Sequence, residues 1–160
     1  MRHTITILVE NEFGVLTRIA GLFSARGYNI ETLNVAPTLD ETVSRLTLVT
    51  RGDERIIEQI KKQLNKLIPV IKVEDISHMV HLERGLLMLK VIDVKGLRKA
   101  AETSGAKIID HEADSYFIAE FTGSPEEVDT FLVSIDAEYI IEASRTGPVG
   151  MRRGSKGFVV

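Results

Sequence analysis

The chain has no cysteine and no tryptophan among its 160 residues, and only four prolines. Without thiols it has no disulfides, thiolate metal sites, cysteine nucleophiles or iron–sulfur clusters. No stretch approaches the roughly 20 uninterrupted apolar residues of a membrane-spanning helix. Met1-Arg2-His3 leads straight into a strand pattern without a signal-peptide core, so a cytoplasmic protein with no membrane partner is expected. An excess of either charge is missing too: 20 Lys+Arg stand against 23 Asp+Glu, and division at Arg84 leaves halves of net 0 and −3. Neither half carries the basic surplus that nucleic acid selects. What is present is 44% hydrophobic, with a mean hydropathy of +0.06, enough for one medium or two small globular domains.

Ile5, Ile7 and Val9 alternate with outward positions, as in a half-buried strand. The period then changes: Leu16, Ile19, Ala20 and Phe23 share a helix face, and Gly27 stops the helix. A strand through Ile30, Leu33 and Val35 follows, then a turn at Pro37 and Asp40-Glu41 and a strand in RLTLVT. Gly52-Asp53 caps a helix with Ile56, Ile60, Leu64 and Leu67 on one face, Pro69 closes it, and VIKVEDI at 70–76 is a fourth strand. The same order recurs after a linker-like stretch at 78–84. LLMLKVI is a strand, LRKAAETSG a helix, AKIID and SYFIAEF two strands, SPEEVDTFLVSI a helix and EYIIEAS a strand. Ser124, Pro125 and Glu127 make that last helix start the clearest local signal in the chain.

Two β-α-β-β-α-β copies predict an α+β protein of two tandem ferredoxin-like domains, at 1–77 and at 85–160, the second ending in a basic tail. Each is small, about 75 residues, so an uncovered sheet face or strand edge should pair with another copy, giving a homodimer. Tyr116, Phe117 and Phe121 lie in an alternating run, with Phe117 and Phe121 on one face, as core residues would.

The turn after the first strand is a ligand seat. Backbone N–H groups at a helix start lack intrahelical partners and meet the positive end of the helix dipole, so a carboxylate can bind there without a catalytic side chain. In isolation Asn11 and Gly14 are better explained as plain turn residues, and Glu10 and Glu12 as solvated ones than as a metal or acid/base pair. Four histidines, His3, His78, His81 and His111, are scattered, and no zinc site or G-x-S-x-G elbow is evident. Arg145, Arg152, Arg153 and Lys156 gather near the C-terminus, as a solvated tail or a docking element.

The segments ILVENEFGVLTRIAGLFSARGYNIETLNVAP at 7–37, RLTLVTRGDERIIEQIKKQLNKLIPVIKV at 45–73, LERGLLMLKV and SRTGPVGMRRG at 144–154 resemble the small, regulatory subunit family of acetolactate synthase, whose first half is an ACT domain. The chain departs from that pattern at Gly85, where an acidic residue is expected, and in a short third helix with no aromatic anchor. The resemblance implies a chain with no catalytic residues, metal or cofactor of its own. It implies a large catalytic subunit as partner, carrying thiamine diphosphate, Mg and FAD. It also implies valine, or another branched-chain amino acid, as feedback effector, bound where two protomers meet. Carried onto this sequence, the effector residues are Asn11, Gly14, Val15 and Leu16 of one protomer with Asn29 and Ile30 of the other. Backbone N–H groups at 14–16 would take the α-carboxylate, and oxygens of Asn11 and Asn29 the α-ammonium. A stand-alone amino-acid sensor is the alternative. RNA binding would need exposed aromatics on the central strands, and TITILVE and SRLTLVT have none. A small-phosphate hydrolase would need an arginine aimed into the loop, where only Arg18 is near.

Overall fold

The apolar run at the start of the chain forms β1 (Arg2–Glu10) in a computed structural model that describes residues 1–160. Ile5, Ile7 and Val9 enter a core built by α1 (Val15–Ser24), β3 (Val43–Arg51) and α2 (Glu54–Leu64). With β2 (Ile30–Pro37) and β4 (Val70–Asp75) the strands make an antiparallel sheet in the order β2-β3-β1-β4. Ile5 faces Leu48, Glu10 faces Val43, Ile30 faces Thr50 and Pro37 faces Ser44. Asp53 caps α2 by accepting from the Ile56 N–H at 2.8 Å. Two expected helix faces shift. α1 buries Ile19 and Phe23 as expected, but Val15, at i−4 from Ile19, fills the place expected of Leu16, which is 43% exposed. α2 ends at Leu64, so Leu67 packs on the core from the following turn.

The second compact unit, Glu83–Thr146, repeats the plan. Its elements are β5 (His81–Ile92), α3 (Leu97–Thr103), β6 (Lys107–Glu112), β7 (Tyr116–Gly123), α4 (Pro125–Val133), a 3-10 turn at Ala137–Tyr139 and β8 (Ile140–Arg145), with strand order β6-β7-β5-β8. The stretch expected as a linker at 78–84 is therefore strand from His81 onward. Leu87, Leu89, Val91, Phe117, Ala119, Val128 and Phe131 form the core, and Phe121 stacks on Phe131 with centroids 4.6 Å apart. The capping box at α4 forms in full: Ser124 Oγ accepts from the Glu127 N–H, and Glu127 Oε2 accepts from the Ser124 N–H.

The first compact unit is not residues 1–82 alone but Met1–Leu82 together with Gly147–Val160. The basic tail, grouped by sequence with the second half, folds onto the first. β9 (Val149–Arg152) and the residues after it cover the sheet face that the helices leave open, so β1 is buried on both faces, Thr4, Thr6 and Leu8 included. Arg45 donates to the Gly150 carbonyl at 2.6 Å, and the Gly150 N–H donates to Thr47 Oγ1 at 3.3 Å. Phe158 is buried with Leu8 and Val43, with the Arg45 and Lys72 cations 5.4 and 5.1 Å from its ring centroid. Arg152 pairs with Glu74 at 3.1 Å and also donates to the carbonyls of Lys156 and Gly157. Arg145, by contrast, pairs with Asp129 in the second unit.

Candidate functional site: the turn between the first strand and first helix

The loop from Asn11 to Gly14 is held at one end of the first sheet. The Asn11 N–H donates to the Thr42 carbonyl at 2.7 Å, and the Asn11 side-chain amide donates to the Glu41 carbonyl at 2.9 Å. Its carboxamide oxygen is thereby turned away from Glu41 and remains an acceptor. The hairpin that receives these bonds is itself fixed. Asp40 Oδ1 accepts from the Thr42 hydroxyl at 2.6 Å and the Thr42 N–H at 2.9 Å, and these bonds hold its carboxyl below the usual value.

Gly14 is the N-cap of α1 at φ 81°, in the left-handed region that glycine enters without strain, and no side chain caps the helix. The Gly14 carbonyl accepts the first helical bond, from Arg18 N–H at 3.0 Å, while the N–H groups of the first turn have no intrahelical acceptor. An ideal Cβ on Gly14 would meet nothing within 4 Å, so the space before these donors is open. Phe13 is fully exposed beside them, and the exposed Leu16 flanks the same donors. A small anion with an apolar group attached suits this chemistry.

Asn29 and Ile30 lie elsewhere in the same chain. The Asn29 carbonyl accepts from Thr50 Oγ1 at 2.7 Å, which leaves its exposed carboxamide for other partners. Ile30 faces Thr50, which faces His3, whereas the Asn11 loop follows Glu10, which faces Val43. The two groups of residues therefore sit at opposite ends of the sheet, about 23 Å apart at about 3.3 Å per residue. One chain does not bring them together.

A cleft of about 900 Å³ on the opposite sheet face is lined by Leu8, Val43, Arg45, Gly150, Phe158 and Val160 among others, and by none of the loop residues. The histidines are also less scattered than their spacing implies. β1 runs antiparallel to β4, and Ile76 N–H donates to the Thr4 carbonyl, so the turn after β4 brings His78 beside His3. Strand pairing, rather than any local motif, carried that signal.

The sheet order, two helices on one face and an uncapped helix start after the first strand define a ferredoxin-like protein of the ACT type, in tandem with a second ferredoxin-like unit. A family model for the AHAS small subunit-like ACT domain matches residues 5–72, and one for the small subunit of acetolactate synthase matches residues 84–154. The acetolactate synthase isozyme 3 small subunit of Escherichia coli is 43% identical over 162 residues, covering 98% of each chain. The probable acetolactate synthase small subunit of Archaeoglobus fulgidus is 44% identical over 160 residues, covering 98% of this chain and 99% of that one. The crystal structure of the small subunit from Thermotoga maritima superposes with a TM-score of 0.89 at 33% identity, covering 98% of this chain and 99% of the other. The chain belongs to the acetolactate synthase small-subunit family.

Proposed function

We propose that this chain is a non-catalytic regulatory subunit that activates a large, thiamine-diphosphate-dependent acetolactate synthase subunit and makes it sensitive to valine. Mg and FAD, like thiamine diphosphate, belong to that partner, and the complex works in the cytoplasm. The observation that carries the effector site is the unfilled start of α1 at Gly14, with Asn11 oriented beside it. Asn29 and Ile30 join the site from a second copy. β2 is a sheet edge, and antiparallel pairing of two β2 strands sets the start of one against the end of the other, at the end of the sheet that holds the Asn11 loop. A homodimer thus supplies what one chain separates. The α-carboxylate meets the N–H groups of Gly14, Val15 and Leu16, the α-ammonium meets Asn11 and Asn29 oxygens, and Leu16 with Ile30 flanks the side chain. One methylene in such a pocket is worth only about 1–3 kcal/mol, so leucine and isoleucine compete with valine.

The test is valine inhibition of the reconstituted enzyme with Gly14→Asp and Asn29→His variants. A carboxylate about 4 Å from the ligand carboxylate costs about 1 kcal/mol in water and about 4 kcal/mol where solvent is partly excluded. Gly14→Asp should therefore raise the valine needed for half inhibition at least roughly fivefold while activation by the subunit persists. By linkage, large-subunit binding and valine affinity must change each other by the same factor. An unchanged inhibition curve in both variants moves the effector elsewhere.

A further inference from the structure

His3 is fully buried in β1, and its two ring nitrogens have different fates. Nδ1 lies 3.0 Å from Asp75 Oδ2, while Nε2 is buried with no hydrogen-bond partner. Asp75 is fixed in turn: its Oδ1 accepts from the Ser77 N–H at 2.9 Å and the Ser77 hydroxyl at 2.5 Å, and Ser77 Oγ accepts from the Thr4 N–H at 2.8 Å. A carboxylate on Nδ1 selects the tautomer with the proton on that nitrogen, so Nε2 presents a lone pair. A buried polar atom left without a partner is costly, and a bound cation would satisfy this one. The His78 ring stands edge-on to that of His3, with centroids 5.9 Å apart, and His78 Nε2 is 2.9 Å from Oε1 of Glu54, the first residue of α2. One ligand atom from each of His3, Glu54 and His78 lies within 4.8 Å of the other two.

We propose that His3 Nε2, His78 and Glu54 form a binding site for a divalent transition metal, Zn²⁺ foremost. Two imidazoles and one carboxylate suit zinc, which takes such ligands at about 2.0–2.2 Å and leaves a fourth position to water. The set lacks the many oxygens that Mg²⁺ or Ca²⁺ would require. His3 is already arranged as a metal ligand is, with a carboxylate behind Nδ1, and it is the rigid member of the set. Glu54 and His78 are 66% and 55% exposed, so their side chains are free to close by the ångström or so that coordination needs. The bound ion would tie the start of β1, the first turn of α2 and the turn after β4 into one clip.

The test uses the tag-free full chain, stripped with a chelator and titrated with Zn²⁺ alone in calorimetry, and with Co²⁺ read by visible absorption. One equivalent should bind, raise the melting temperature and give Co²⁺ bands of a four-coordinate site. His78→Ala and Glu54→Gln alter exposed side chains and leave the fold intact. Each should weaken binding at least about tenfold and abolish the thermal shift. His111→Ala, in the other unit, should change nothing. Absence of a stoichiometric site overturns the proposal. So do equal affinities in wild type, His78→Ala and Glu54→Gln, or a loss in His111→Ala as large as theirs, which would mean surface-histidine binding only.

Discussion

Gly150 offers a measure of how firmly the returning C-terminal segment is seated on the first sheet. An added Cβ would stand 2.7 Å from Ile76 Cδ1, 3.3 Å from Thr4 Cγ2 and 3.4 Å from Thr47 Cγ2. Ile76 is 1% exposed and has nowhere to swing, and the Gly150 backbone is pinned on both sides by Thr47 and Arg45. Gly150→Ala should therefore cost about 1–3 kcal/mol by overpacking. That cost is capped by the free energy that docks the segment, since the segment can lift off instead. Ile76→Val removes the clashing Cδ1 and on its own costs about 0.5–1.5 kcal/mol. In the double variant the two losses should not add: we expect a favourable coupling of at least about 1 kcal/mol, well outside the roughly 0.5 kcal/mol scatter of independent sites. Because the chain has two units, stability is best followed by hydrogen exchange at β1 and β3 amides rather than by one global transition. Exchange at 147–160 separates strain from undocking. A double variant whose loss equals the sum of the single losses would refute the packing argument.

Two further outcomes can be checked. The Ser124 N–H, then Arg84 at 2.6 Å, hold the Glu127 carboxyl below its usual 4.5. A lowered carboxyl stabilises above its unfolded value and loses that contribution as pH falls through the folded one. Hydrogen exchange at amides of the unit that holds the mutated residue should thus find Glu127→Gln less stable than wild type at neutral pH, with the gap closing well below pH 4.5. Asp53→Ala removes the only side-chain cap on the first unit's helices and should cost about 1 kcal/mol in the same assay, while Asp53→Asn should retain most of it.

Much of the fold was legible because it is written locally. The capping box at Ser124, the stop at Gly27 and the cap at Asp53 each depend on neighbours within a few residues, and each forms. At α1 the period placed Ile19 and Phe23 correctly, and only the first member of the buried face differs, Val15 in place of Leu16. The second buried face of β1 was readable only in part. Thr4 and Thr6 look solvent-facing until the tail is placed over them, and a segment rich in glycine has no period to betray its partner. The site divides the same way. The helix start at Gly14 is a local feature, but the distance between Asn11 and Asn29, and the meeting of His3 with His78, come from strand order and register.

Because the first unit needs Gly147–Val160 as well as Met1–Leu82, its completion is a matter of timing during synthesis. On a ribosome the whole second unit is made in between, and at about 5–20 residues per second that interval lasts several seconds. During it the sheet face around Leu8 of β1 and Thr47 of β3 lacks the segment that will cover it. A nascent or stalled chain ending near Thr146 would carry a finished second unit beside an unroofed first one. Such a chain would be a substrate for holdase chaperones, and quality control would sense the loss of the last fourteen residues as exposed sheet.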